Sequence, residues 1–206
     1  MKKNDNKFII SLLFIIIILA GILIFRINNS IGYNESLYND IYKEYNGVFS
    51  SENSNTLAIG SSEQNTNSLS TESETNSNVI GKIVIPSLQI DYPILRYTTD
   101  ELLKIAPTKL CGPNINEKGN LCIIGHNYHN STFFSKLNEL NIGDSVFLTN
   151  ADNKSELTYA VNNKYVIKKN DLSVLSQQND TEIVLTLITC TNNDNERLVV
   201  KCDVVL

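Results

Sequence analysis

From residue 79 onward the chain is a series of short apolar runs separated by segments rich in Gly, Pro and Asn. The runs are rich in Val, Ile and Tyr, which is typical of strands, whereas the separating residues are those of turns. Short helices are expected only at Asp100 to Ile105 and from about Ser131 to Leu140. Many short strands with few helices predict an all-β barrel or sandwich. The predicted strands are 80–85, 88–95, 121–124, 145–149, 157–168, 183–190 and 197–205.

The N-terminal segment is different, because Phe8 to Phe25 is an almost unbroken apolar run. A helix of this length extends about 27 Å, close to the roughly 30 Å hydrocarbon core of a bilayer. Lysines precede the run and only Arg26 follows it closely, so the positive-inside rule puts residues 1–7 in the cytoplasm and the remainder outside. A cleaved signal peptide is the alternative, but the run continues beyond Ala20-Gly21 without an A-x-A site. We therefore expect a single-pass membrane anchor at 8–25 and an extracytoplasmic domain.

Residues 26–78 connect the anchor to the folded part. From Ser50 to Asn78 they are mostly Ser, Asn, Thr and Glu, a composition that cannot bury enough apolar surface to offset the entropy of ordering. Leu37, Ile41 and Tyr45 have helical spacing, which predicts a short amphipathic helix within this connection. We therefore expect a flexible polar tether with a short helix, followed by one domain at 79–206 that is long enough for a single core.

The charge of the chain excludes one class of partner. The formal net charge is -5 at pH 7, and the sequence has no cluster of Lys or Arg. Binding to a phosphate backbone needs a basic stripe. Nucleic acid is therefore not an expected partner.

One cysteine has a chemically informative position. Cys190 ends the apolar run 183–190, His126 follows another run after a single glycine, and Arg197 comes seven positions after the cysteine. A thiol, an imidazole and a fixed cation are the minimum set for acyl transfer through a thioester. Because a thiol of pKa about 8.5 is only about 3% ionised at pH 7, Cys190 needs a positive neighbour. His126 can then protonate a departing amine, and Arg197 can donate to an oxyanion. Considered one at a time, Cys190 can instead be a buried apolar residue and Arg197 a solvated loop charge, neither with a catalytic role.

The segment Thr186-Leu187-Ile188-Thr189-Cys190, with Arg197 downstream and Gly125-His126 about sixty residues upstream, resembles the sortase signature: a TLxTC strand end, a following Arg and a preceding His. The resemblance extends from about residue 79 to the end. Sortases are membrane-anchored cysteine transpeptidases, mainly of Gram-positive bacteria. The resemblance implies a closed sortase-type β-barrel with His126, Cys190 and Arg197 as catalytic residues, and it assigns Thr189 to substrate binding.

The resemblance also implies substrates and partners. Cys190 would cleave an LPXTG-like sorting signal of an exported protein after its Thr. An amine of lipid II or of a peptidoglycan cross-bridge would resolve the thioester and join the surface protein to the cell wall. The tether lacks the aromatic lid with Asp-Pro of pilin-polymerising members, and Asp171 to Thr181 is too short for the helical insertion of class B members. This leaves class A-like or class D-like. An extracytoplasmic thiol protease and a noncatalytic membrane-anchored binding domain are the competing interpretations.

The other His and Cys residues suggest less. His129 lies three residues beyond His126 and is expected at the surface or along a groove. This His pair without a C-x-x-C does not favour zinc, and the single carboxylate in the loop 114–117 does not favour calcium. No metal or other cofactor is expected. Cys111 and Cys122 can form a disulfide in an exported domain, whereas Cys202 is expected to be buried and free.

Overall fold

A computed structural model describes residues 5–49, 77–128, 130–178 and 181–205; the side chains at 5–14, 25 and 27–34 are outside this description. The chain divides into two compact units, residues 1–40 and 41–206. The second unit holds the residues of the predicted catalytic site.

Helix α1 runs from Asp5 to Phe49 and so continues through the first part of the predicted tether. The rest of that tether, residues 50–76, lies outside the described residues. The apolar side chains from Ile15 to Ile24 are exposed. Within the described part of the chain, no helix is both long and apolar enough to cross a membrane. The anchor at 8–25 stays a prediction, since the side chains at 8–14 are not described.

The last turns of α1 belong to the second unit and pack on its barrel. Ile41 is only 1% exposed, and Tyr45 donates a hydrogen bond of 2.5 Å to Asp91. The Lys82 ammonium lies 5.2 Å from the centre of the Phe49 ring. These contacts explain why this stretch is helical, because an amphipathic helix becomes stable when its apolar face is covered.

The described part of the second unit contains an eight-stranded closed barrel. Its strand order is β1-β2-β3-β4-β7-β8-β6-β5, and pairing of β5 with β1 closes it. The β2–β3 and β4–β7 pairs are parallel and the other pairs are antiparallel. The predicted all-β barrel is confirmed. The strands are β1 Val79–Ile85, β2 Ile90–Leu95, β3 Thr108–Cys111, β4 Gly119–Ile124, β5 Ser145–Asn150, β6 Glu156–Lys168, β7 Ile183–Cys190 and β8 Glu196–Val204.

The short helix predicted from Asp100 to Ile105 is present, whereas the second predicted helix is not. Helix α2 spans Asp100–Leu103 and is capped by the Thr99 side chain, which accepts a hydrogen bond from the Leu102 amide. The continuous helix predicted from Ser131 to Leu140 is wrong: a 3₁₀ turn at Leu137–Glu139 is present instead. Ser131 and Phe133 have φ angles of 69° and 48°, which a right-handed helix cannot include. Two further 3₁₀ turns lie at Pro86–Leu88 and Ser173–Leu175.

Alternation along the strands separates two faces of the β4–β7–β8 sheet. Side chains on the inner face fill the barrel core and include Leu121, Ile123, Leu185, Leu187, Val200 and Cys202. Each fully buried Leu or Ile contributes about 1.5–3 kcal/mol of burial free energy. Cys202 is 0% exposed and free, as predicted. On the outer face, a second buried cluster joins the sheet to the loop before β7. We call it the outer patch; it consists of the buried Val174, Ile188 and Val199, with Ile124 half-buried against them.

Candidate active site

The register of β7 and β8 places Cys190 directly opposite Arg197. Cβ atoms of directly opposed residues in an antiparallel pair lie about 4.5–5.5 Å apart on one face of the sheet. Leu187 belongs to the core and Ile188 to the outer patch, so alternation puts Cys190 on the outer face. Both side chains are half-buried. Cys190 and Arg197 therefore lie side by side at one end of the outer patch.

His126 reaches the same end of the sheet from β4. This strand runs parallel to β7, with Ile124 level with Ile188, and the Gly125 amide continues the ladder by donating to the Ile188 carbonyl at 3.1 Å. His126 is two residues beyond Ile124, just as Cys190 is two residues beyond Ile188. The parallel pairing therefore brings the imidazole and the thiol to neighbouring strand ends.

Two contacts hold the end of β4 against the rest of the site. Thr189 is 2% exposed, and its hydroxyl donates to the Gly125 carbonyl at 2.8 Å. A Cβ atom at position 125 would lie 2.8 Å from the Phe134 ring, so this position requires glycine. The Phe134 amide donates to the His126 carbonyl at 3.1 Å. The backbone that carries His126 is therefore fixed on both sides.

The local electrostatics favour a neutral imidazole in the resting protein. Burial lowers the pKa of His126 below its usual value, the Asp100 carboxylate partly opposes this shift, and the Lys104 ammonium adds to it. A group that exchanges a proton near neutral pH suits general acid and base catalysis. His126 can therefore accept a proton and return it within one reaction cycle.

Arg197 holds the loop between β7 and β8 as well as facing the thiol. Its Nη1 donates to the Asp194 carbonyl at 3.1 Å and to the Glu196 carbonyl at 2.7 Å. A guanidinium has five N–H donors in a fixed fork. Both bonds use one nitrogen, so the remaining N–H groups can serve a developing negative charge on a substrate.

A cavity of about 600 Å³ opens beside Cys190. Its lining includes Cys190 but neither His126 nor Arg197. Asn127 also lines the cavity, and its amide donates to the Cys190 carbonyl at 2.9 Å. The lining includes Asn127, Phe134, Glu139, Thr189, Cys190 and Glu196.

Cys122 and Cys202 are worse placed as nucleophiles. Burial raises the pKa of both the Cys122 and the Cys202 thiols to about 12, so both stay protonated at neutral pH. Cys111 pairs with Cys122 across β3 and β4, and all four cysteines are free. The disulfide between these two stays a prediction.

The structure thus brings together the three residues predicted to be catalytic. The substrate-binding role of Thr189 stays a prediction, and His129 lies outside the described residues. The sequence interpretation missed Asn127 and Tyr128. The signal available was their position within two residues of His126, directly after a strand end. The Tyr128 ring lies against the imidazole, with 4.7 Å between the ring centroids.

Comparison with known proteins agrees with this fold. The family model described as Sortase domain matches residues 83–205, which is more than half of the chain. The chain belongs to the sortase family.

Individual relatives cover only part of the chain. It is 32% identical to Sortase A of Bacillus anthracis over 130 residues, which is 62% of this chain and 60% of that protein. It is 29% identical to Sortase A of Listeria monocytogenes over 113 residues, which is 54% of this chain and 49% of that protein. The structure of the Sortase D5 transpeptidase of Clostridium perfringens is similar with a TM-score of 0.58 and 28% identity; the match covers 64% of this chain and 82% of that one. The matched region thus spans 60% and 49% of the length of these two curated relatives.

Proposed function

We propose that this protein is a sortase-type cysteine transpeptidase that cleaves an LPXTG-like sorting signal and joins the exported protein to an amine of the cell wall. The observation that carries the proposal is the register that opposes Cys190 to Arg197, with His126 at the end of the adjacent parallel strand. These residues supply a nucleophile, an oxyanion donor and a proton carrier.

In the first half-reaction, the Cys190 thiolate attacks the carbonyl carbon of the signal's Thr. A C–S bond forms, the peptide C–N bond breaks, and the departing amine takes its proton from the His126 imidazolium. Arg197 N–H groups donate to the oxygen that becomes negative. The product is a thioester on Cys190 and a released C-terminal fragment.

In the second half-reaction, an acceptor amine attacks the thioester carbon. A C–N bond forms, the C–S bond breaks, and neutral His126 takes up the proton that the amine loses. An amine of lipid II or of a peptidoglycan cross-bridge is the proposed acceptor. Water is the competing nucleophile, and a protease would use it.

Two surfaces beside Cys190 support separate positions for donor and acceptor. Beside the buried outer patch, Tyr165 and Ile167 are only half-buried and Ile167 lies opposite Arg197, so their apolar surface suits the Leu and Pro of a sorting signal. The cavity beside Cys190 is lined by two carboxylates, Glu139 and Glu196, and one ammonium, Lys136, a balance that would favour an incoming ammonium group. An extended peptide and an amine could therefore approach the thioester over different surfaces.

The membrane anchor belongs to the same proposal. A single-pass helix at 8–25 with a cytoplasmic N-terminus would hold the enzyme on the membrane surface with its exported substrate and a lipid-linked acceptor. Such sharing of a surface raises effective concentration. Class A-like or class D-like remains the proposed subfamily, since the loop before β7 has a single 3₁₀ turn within its described part and the relatives named above are described as Sortase A and Sortase D5.

The test uses the full chain in detergent with an LPXTG-type peptide and an added amine. We expect a coupled peptide–amine product that disappears in Cys190→Ala, while Cys202→Ala, which changes a thiol on the core side, retains coupling in its folded fraction. Peptide release without any coupled product would instead indicate a protease. No turnover by the folded wild-type protein would favour a binding domain.

A further inference from the structure

A row of aromatic rings leads from the barrel wall to the proposed catalytic imidazole. The Tyr92 and Phe133 ring centroids are 5.3 Å apart, those of Phe133 and Tyr128 are 5.8 Å apart, and those of Tyr128 and His126 are 4.7 Å apart. The first two pairs are tilted by more than 50°, whereas Tyr128 and His126 are tilted by only 31°. The reaction proposed above gives this row no role. Its last pair is the one nearest to a stack.

The row rests on a fixed base. Tyr92 lies in β2 and packs against the core. Phe133 has a φ of 48°, and a residue other than glycine keeps such a conformation only when its surroundings hold it there. The Tyr128 amide donates to the Ser135 hydroxyl at 3.0 Å. The loop between His126 and Ser135 is therefore tied to itself and to the barrel.

The strand ladder leaves the orientation of the imidazole ring open. His126 lies past the end of β4, so the ladder fixes its backbone but not its ring. Among the described residues, no side chain or backbone group makes a hydrogen bond to the ring nitrogens of His126; the Tyr128 ring is its observed aromatic contact. A catalytic imidazole that can rotate freely loses rate, because a misplacement of about 1 Å can cost a factor of about 100.

We propose that Tyr128 is a positioning residue that holds the plane of the His126 imidazole and favours its charged form by lying against its face. This inference rests on the proposed function for its effect on catalysis, but the ring contact can be tested without activity. The contact that positions the imidazole is between the two rings, so it does not require the Tyr128 hydroxyl to reach His126. The Tyr128 side chain is 42% exposed.

Asp100 and Lys104 act on the same imidazole from α2 and its flank. Cys190 and Arg197 lie at the neighbouring ends of β7 and β8. Burial disfavours the imidazolium, whereas the negative face of an aromatic ring attracts it. Since the imidazolium protonates the leaving amine, the ring contact would increase the fraction of protein in the reactive protonation state.

Two substitutions distinguish the effect of the aromatic ring from the effect of its hydroxyl and from the effect of apolar cover over the imidazole. Tyr128→Leu keeps apolar cover but removes the π face, and we expect kcat/KM to fall about tenfold, mainly through kcat. In the pH profile of kcat/KM, the fall at high pH that reports His126 deprotonation should occur about half a pH unit lower. Tyr128→Phe keeps the ring, so its kcat/KM and the pH at which this value falls should both match those of the wild-type protein. Tyr97→Leu removes another exposed tyrosine and serves as the control for general effects.

The second measurement is an NMR titration of His126 that needs no substrate. The chain has two histidines, so His129→Gln leaves one imidazole, and Cys190→Ala removes coupling to the thiol. In this background Tyr128→Leu should lower the His126 pKa by about half a unit, and Tyr128→Phe should not. An unchanged pKa in Tyr128→Leu, or an equal loss in Tyr128→Phe, would overturn the proposal. An inactive wild type with the expected NMR shift would reject the transpeptidase but retain the positioning contact.

Discussion

The two faces of the β4–β7–β8 sheet use the same strands for different purposes. On the inner face, Leu185 and Leu187 are fully buried in the core. At the end of the outer face, Cys190 and Arg197 are half-buried and border a cavity or a loop. A one-residue step along β7, from Thr189 to Cys190, changes the exposure of the side chain from 2% to half-buried. Stability and chemistry are thus assigned to alternate residues of one strand.

This comparison predicts that outer-end substitutions change rate and inner-face substitutions change stability. The largest effect is expected for Arg197→Ala. Removing a preorganised donor to an oxyanion should lower kcat/KM for coupling about 100- to 1,000-fold, with only a small change in Tm. Steady-state coupling kinetics and a thermal melt measure the two quantities.

The matched control is Lys169→Ala, which removes an exposed cation near the same loop and should retain activity. Arg197→Lys should remain impaired, because a single ammonium lacks the guanidinium fork. Full activity in Arg197→Ala would refute the role given to the register of β7 and β8.

The inner face gives the opposite result with Leu187→Ala. This residue is 0% exposed, and truncation should cost about 2–5 kcal/mol of unfolding free energy, or roughly 4–20 °C in Tm. The folded fraction should keep its kcat, which denaturant melts and kinetics below the transition would check. A large kcat loss with an unchanged Tm would contradict the separation of the two faces.

Gly125 links the packing of the core to the position of His126. A methyl group here would lie 2.8 Å from the Phe134 ring of the core and would displace the backbone that carries His126. We expect Gly125→Ala to destabilise the fold by about 1–3 kcal/mol and also to lower kcat. Adding Phe134→Leu should recover part of both losses, and a double variant no better than the single one would exclude this contact as the cause.

The smallest effect concerns pH and stability. Because burial lowers the folded-state pKa of His126, the neutral form is the one that the fold favours. Its contribution is complete above the unfolded-state pKa of about 6.5 and is lost as pH falls through that value toward the folded-state pKa. From about pH 7.5 to pH 5.5 we expect this group to lower Tm by less than about 2 °C. In His126→Gln, the part of the dependence of Tm on pH that comes from this group should vanish. A dependence identical to that of the wild-type protein would contradict this prediction.

The sequence predicted much of the barrel because hydrophobic periodicity is a local signal. It also predicted the Cys190, His126 and Arg197 set through a family signature, whereas their meeting depends on the parallel pairing of β4 with β7, which no local pattern contains. Strand β3 was missed because it has only four residues and is stabilised by pairing with β4. The predicted helix at 131–140 failed because Phe133 adopts a positive φ within an aromatic row, a tertiary effect. The Tyr128 stack and the Asn127 hydrogen bond have no sequence signature of their own.

The central claim is that Cys190, at the end of β7, is the nucleophile. The direct measurement is mass spectrometry of the full chain after brief incubation with an LPXTG-type peptide and no added amine, followed by proteolysis to locate the modified residue. The account predicts an added mass equal to the acyl fragment ending in Thr, attached to the peptide that contains Cys190 and released by hydroxylamine. An acyl adduct on Cys111, or on a residue other than cysteine, would contradict it, as would peptide turnover by Cys190→Ala at the wild-type rate.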